Sequence, residues 1–458
     1  MPIDYATALP TKRFFIEMLT RDISLEDALL DLIDNCIDGY CRTTGLVLSS
    51  SLITKNGDAK NKFNVELELS EKKFVIKDNC GGIDYKDARE NVFRFGRTES
   101  HTHSGLSVYG IGLKRAIFKI GKQIEIVSRT TKNGFKIVLN TDNWLDEKDN
   151  NDWKIPLAVI DKANSADEAG TYISITQIRP EIATKLKDRT VEKQIIEYIS
   201  DAYPFFLDSH VSIKINGHEV PGKKIVFAES DNLTAAREFW TDDGVFIELF
   251  CGLRPKDDPV KGQWKSENAG WFLVCNGRVV VNANKENLTG WGVPGYLPEF
   301  QPKHRGFTGI VFFSSSDQQE KLPWNTTKRG LNQESLIYLR TLQKMVTHGR
   351  AVVRFLDKAY PSNDKEAPTE SYRLITEATQ ETNVAAEAEE KRKENSLGGN
   401  AFHYSTPPAP PIDPTTNILF RVKKADLDKI RIRLKKRNAS AKSIGEYTFN
   451  YFLKRECE

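Results

Sequence analysis

Apolar positions along the first 180 residues switch between two spacings, and each switch marks a change of element. From Ser24 to Tyr40, Leu25, Leu29, Leu32, Ile33 and Ile37 recur at helical intervals, and Ser24 stands where an N-cap belongs. Phe63–Leu69 and Lys73–Lys77 alternate about a short turn, which predicts two neighbouring strands. Leu113–Ile120 reads as a helix, and Ile124–Arg129, Phe135–Asn140 and Thr171–Gln177 read as strands. This mixture predicts an α+β protein that opens with an α/β sandwich carrying one helical layer.

The pattern continues past residue 190. An apolar helix, Val191–Ala202, precedes strands at Val211–Ile215, Gly244–Phe250, Trp271–Val281 and Gly309–Phe313, and Glu334–Phe355 closes the region as a helix. Asn276-Gly277 interrupts the third of these strands and signals a hairpin. Pro, Ala, Glu, Thr and Ser then dominate up to TPPAPPIDP, the composition of a linker. Beyond it, Ile418, Phe420 and Val422 alternate as in a strand with one apolar face. Leu427, Ile430 and Leu434 follow at helical spacing, and Ile444, Tyr447, Tyr451 and Phe452 mark a second helix. Four regions are expected: 1–185, 186–360, a linker over 361–416, and a small strand-helix-helix module over 417–458.

Composition narrows the picture only in places. With 458 residues and 39% hydrophobic content, a wholly disordered chain is excluded. The 66 basic and 63 acidic residues nearly cancel, but their distribution is uneven. Residues 417–458 hold twelve Lys/Arg against five Asp/Glu, a balance of +7 that leaves −4 on the remainder. No apolar run approaches the roughly 18 residues of a membrane helix. The N-terminus has no apolar signal core, and the six cysteines form no C-x-x-C pair. A cytoplasmic location with reduced thiols is the expectation.

Candidate chemistry begins on the first apolar helix. Asp31, Asn35 and Asp38 stand at i, i+4 and i+7 and share one face. Alone, that stripe fits a solvent face as well as a site. The segments after it change the balance. FVIKDNCGGID sets Asp78 at a strand end before Gly81-Gly82, and FGRTES leads through a loop to GLSVYGIGLKRA. There Gly110 and Gly112 precede a helix start, where backbone N–H groups can cradle phosphate. Gly170-Thr171 then opens the strand TYISITQI.

These four pieces, in this order, resemble the GHKL superfamily of ATPases, which includes the gyrase B subunit, heat-shock chaperones, histidine kinases, MutL and MORC proteins. YGIGLKRA and FGRTES look most like the corresponding MORC segments. The resemblance covers about residues 15–180 as a Bergerat-type ATPase domain, and more loosely 190–350 as a transducer-like domain. It implies ATP and Mg2+ as ligands. Asp31 would be the general base and Asn35 the Mg2+ ligand, with Asp38 beside them. Asp78 would accept from the adenine amine, with Gly82 and Thr171 at the base. Gly110, Gly112 and Lys114 would meet the phosphates at the end of a lid spanning about 96–112. Two departures stand out. Asp31 replaces the usual Glu, which is longer by about 1.5 Å, and Cys80 replaces a Gly of the adenine-side motif.

LPWNTTKRGLN places Lys328 in a Thr- and Gly-flanked loop, similar to the loop from which transducer domains lend a lysine to the γ-phosphate. The resemblance implies that role for Lys328, and an ordinary exposed lysine beside Arg329 is the alternative. A histidine kinase is not expected, because the base-bearing helix starts near residue 24. The module 417–458 resembles a ribbon-helix-helix unit. That resemblance implies dimerisation through the strand and presentation of Asn417, Leu419, Arg421 and Lys423 to DNA. A basic docking tail for a partner protein fits the same residues. The reading is an ATP-gated homodimer, a MORC- or MutL-like clamp on DNA. The alternatives are a chaperone-like ATPase with protein clients and a nucleotide-sensing DNA-binding regulator with slow or no turnover.

Overall fold

The computed structural model describes residues 3–4, 10–46, 63–96, 106, 110–146, 153–258, 262–316, 318–325, 327–361, 370–378, 380–383, 397–405, 418 and 420–457. They divide into two compact units, residues 1–406 and 407–458.

The first unit opens with helices α1 (Lys12–Arg21) and α2 (Leu25–Thr44). Ser24 begins α2 through a reciprocal capping box with Asp27, and Gly45 ends it in the left-handed region at φ 68°. Strands β1 (Asn64–Leu69) and β2 (Lys73–Asp78) form the predicted antiparallel pair. Helix α3 (Gly112–Ile120) leads into β3 (Gly121–Arg129), β4 (Gly134–Asn140), β5 (Ala158–Ile160) and β6 (Gly170–Ile178). Helix α4 (Arg189–Ala202) follows, then β7 (Ser212–Ile215) and β8 (His218–Glu219). One eight-stranded sheet results, in the order β5-β4-β3-β6-β2-β1-β7-β8.

That order changes the expected boundary at 185. β7 pairs in parallel with β1, Asn64 opposite Ser212, so residues beyond 185 complete the first sheet. The sequence could not show this, because β7 reads as an ordinary buried strand and nothing local names its neighbour.

A second sheet contains β11 (Ala236–Asp242), β12 (Val245–Leu253), β13 (Gly270–Cys275), β14 (Arg278–Asn284) and β15 (Phe307–Ser314), and α5 (Leu336–Ala359) packs on it. Its order is β14-β13-β15-β12-β11, with β17 (Gly398–Asn400) at the β11 edge. The small strands β9 (Val226–Glu229) and β10 (Leu233–Thr234) lie before it in the chain. The β13–β14 hairpin turns at Asn276 and Gly277, with φ 46° and 83°, the positive pair that a tight two-residue hairpin demands.

The expected linker contains folded elements. Helix α6 (Glu370–Glu377), β16 (Gln380–Asn383), β17 (Gly398–Asn400) and β18 (His403–Tyr404) fall inside 361–416. β16 pairs with β9, β17 with β11 and β18 with β10, while Leu374, Ile375 and Phe402 are buried. Polar composition concealed these elements because each is short and receives its partner from elsewhere in the chain.

The second unit holds α7 (Lys424–Arg433) and α8 (Ala441–Phe452). Ile444 is buried, whereas Ile418, Phe420, Val422, Ile432, Tyr447, Phe449, Tyr451 and Phe452 are exposed. Ile418 and Phe420–Lys423, where a strand is expected, have no sheet partner among the described residues. Arg421 and Lys423 are exposed; Asn417 and Leu419 lie outside the described residues.

No helix among the described residues is long and apolar enough to cross a membrane. The five cysteines whose side chains are described are buried free thiols.

Candidate functional site

Helix α2 is the axis of the site. It is enclosed nearly all round, and Asp27, Asp31, Asp34 and Asp38 are all buried, between 1% and 8% exposed. The stripe of Asp31, half-buried Asn35 and Asp38 is therefore not a solvent face. Four enclosed carboxylates on one helix are costly unless each meets donors or cations.

The described points of the lid run along this stripe. Leu106 donates its backbone N–H to Asp38 Oδ1. Gly110 adopts φ 64°, and Gly112 starts α3 beside Asp31. Asn35 lies between Asp31 and Asp38 in the helix, and its Nδ2 donates to the Asp31 carbonyl at 2.6 Å, which fixes the carboxamide. Residues 97–105 and 107–109 of the expected lid lie outside the described residues.

At the adenine-side end, strand register sets Asp78 next to Thr171, and Thr171 opposite Ser128. Asp78 Oδ1 accepts from the Cys80 N–H at 2.8 Å, and its Oδ2 is 3.6 Å from the Cys36 thiol, one residue beyond Asn35. The Thr171 N–H also bonds to the Asp78 carboxyl. Burial pushes that carboxyl up to about 6, against these hydrogen bonds and the charge of Arg42. Thr171 Oγ1 shares a 2.9 Å hydrogen bond with Ser128 Oγ, which accepts from the Ile83 N–H at 2.8 Å. Burial drives the Cys36 and Cys80 thiols well up, so Cys80 is no thiolate nucleophile.

Four of the expected site residues have partners or close neighbours within the protein itself. Asp31 is not an open carboxylate: Arg115 Nε reaches its Oδ2 at 2.5 Å and Nη2 its Oδ1 at 2.9 Å. Lys114 is turned to backbone carbonyls. It is 1% exposed and donates to the carbonyls of Val92 at 2.6 Å and Arg94 at 2.5 Å, tying the turn before the lid to α3. Gly82, at φ 70°, makes its close approach to the protein's own backbone, since a Cβ there would sit 2.2 Å from the Arg129 carbonyl oxygen. Lys328 is not exposed: it is 5% accessible and donates to Asp34 Oδ2 at 2.7 Å.

Asp34 is the hub that sequence reasoning missed. Besides Lys328 it holds Arg278, the first residue of β14, at 2.5 Å, and the Tyr203 hydroxyl at 2.7 Å. Burial opposes its ionisation, but the two cations outweigh it and hold its pKa below the ordinary value. The spacing Asp27, Asp31, Asp34, Asp38 on an apolar helix was the signal that could have found it. Lys328 reaches Asp34 from a loop closed by the Trp324–Leu331 bridge, and its backbone sits at φ 55°. A lysine held in this region is strained, a feature that concentrates at functional sites.

A separate cavity of about 860 Å³ opens between Phe15, Phe93, Phe95, Trp153 and Leu157. None of Asp31, Asn35, Asp78 or Thr171 lines it.

The structure thus places Gly112 and Arg115 at Asp31, the Leu106 N–H at Asp38, Asp78 at Cys36 with Thr171 beyond it, and Lys328 at Asp34. No curated protein matches the chain. Residues 23–172 match the family model described as histidine kinase-, DNA gyrase B- and HSP90-like ATPase, which supports assigning this part of the chain to the GHKL superfamily as an ATP-binding, ATPase-type domain.

Proposed function

We propose that the chain binds ATP between α2 and the strand ends bearing Asp78 and Thr171, hydrolyses it with Mg2+, and uses the cycle to gate a homodimer that acts as a MORC- or MutL-like clamp on DNA. The convergence of Asp31, Asn35, Asp78 and Gly112 on one helix carries this reading. Asp78 accepts from the adenine amine beside Thr171. Asn35 holds Mg2+ with its fixed carboxamide. Among the described residues no cluster of three or more His, Cys, Asp or Glu forms a metal cage. A Mg2+ ion at Asn35 would be shared with phosphate oxygens and water. When bound, Mg2+ supplies charge neutralisation on the phosphates. Asp31 takes the proton from water, and Lys328 offsets the charge that develops.

The second unit supports the dimer and DNA parts. Its exposed apolar residues far outnumber its buried one, so it gains most by pairing with a second copy. The +7 charge of residues 417–458 favours phosphate backbones.

The test is hydrolysis by the full chain with Mg2+, with and without duplex DNA, beside an Asn35→Ala control. Turnover that rises with DNA and falls about 100-fold in the control is expected. Turnover indifferent to DNA would favour protein clients, and tight binding without turnover would leave a nucleotide-sensing regulator.

Asp78 adds a pH signature. As an ionised acceptor it serves ATP above its pKa of about 6, so affinity falls as pH drops through that value. Titration calorimetry between pH 5 and 8 should show this inflection, and Asp78→Asn should lack it. The stability contribution runs the other way. The pKa is raised from 3.8, so the contribution is full below 3.8 and lost as pH rises through about 6.

A further inference from the structure

The carboxylate proposed as the base is fully occupied. Arg115 forks onto both oxygens of Asp31, the side chains being 6% and 2% exposed. A carboxylate engaged bidentately by a guanidinium is a poor acceptor for a water proton. Arg115 lies in the first turn of α3, and this helix start is held against Asp31: a Cβ on Gly112 would lie 3.2 Å from the Asp31 carboxyl carbon. The wider cluster holds two further buried cations, Arg278 and Lys328. Arg115 is flanked by the buried Asp27 as well as Asp31, Arg278 and Lys328 share Asp34, and the buried Arg278 Nε has no hydrogen-bond partner among the described residues. A buried guanidinium nitrogen without a partner calls for an acceptor.

We infer that Arg115 is a phosphate-responsive positioning residue: Asp31 and the terminal phosphate of a nucleoside triphosphate compete for its guanidinium. This rests on the ATP-binding reading above. Phosphate at the start of α3 offers the guanidinium a more highly charged bidentate partner. Arg115 then leaves Asp31, and the base becomes available only when the group to be cleaved is present. A nucleoside diphosphate lacks that group and leaves the pair closed.

The experiment is calorimetric titration of the full chain with a non-hydrolysable ATP analogue and with ADP. Wild type, Asp31→Asn, Arg115→Gln and the double variant are compared. Asp31→Asn removes the competitor and should tighten the triphosphate analogue about tenfold with ADP unchanged. Arg115→Gln should weaken the analogue by a similar factor, again sparing ADP, and in the double variant the gain from Asp31→Asn should vanish. Should Arg115→Gln fail to fold by circular dichroism, Asp31→Asn and Asp31→Ala decide the matter, since both retain the arginine. Equal shifts for analogue and ADP, or no gain in Asp31→Asn, overturn the inference. If wild type binds neither nucleotide, the ATP reading falls and takes the inference with it; binding with an unmoved analogue-to-ADP ratio sinks the inference alone.

Discussion

Asp34→Asn is expected to lower the unfolding free energy by roughly 3–5 kcal/mol, the largest stability effect of any single change in the site. Asp34 is 1% exposed and is the shared counter-ion of Arg278 and Lys328, whose side chains are 1% and 6% exposed. An amide leaves both cations enclosed without charge compensation. Small domains are stable by only about 5–15 kcal/mol, so the variant should approach its threshold in urea titrations. A loss below about 1 kcal/mol would mean that water already screens the cluster. The pH dependence has a definite sign. Because the folded pKa of Asp34 is depressed below 3.8, its contribution is present above that value and is lost as pH falls through the lower folded pKa. Wild type should show this acid loss, and Asp34→Asn should show less of it.

Lys328→Ala separates chemistry from folding at the same cluster. Asp34 keeps Arg278 and Tyr203, so the fold should survive with a much smaller penalty than that of Asp34→Asn. The catalytic rate should fall about 100- to 1,000-fold, the usual cost of removing one preorganised charge donor, while ADP affinity stays unchanged. Steady-state hydrolysis beside ADP titration reads both. An unaltered rate would remove Lys328 from the mechanism and leave it as a partner of Asp34.

Much of this was legible in the residues because it is local. Ser24, the leucine and isoleucine spacing of α2, and the Asn276-Gly277 turn are short-range signals, and each appears where expected. The Asp31–Asn35–Asp38 stripe was legible as a shared face, though not as buried, because periodicity does not tell which side of a helix is covered. Lys114 and Arg115 are adjacent cations, and only tertiary contacts separate their roles. One caps the Val92 and Arg94 carbonyls and the other grips Asp31. Asp34 escaped for the same reason, since both of its cations come from far along the chain.

The pairing of β1 with β7 has a consequence for the order in which the chain is made. Asn64 leaves the ribosome long before Ser212 does. Until then β1 has β2 on one side and an open row of backbone donors and acceptors on the other, an edge prone to pairing with other chains. The ATPase part therefore cannot close its own sheet as it emerges. Its last two strands, β7 and β8, arrive only after α4, so the outer edge of β1 stays unpaired until they do.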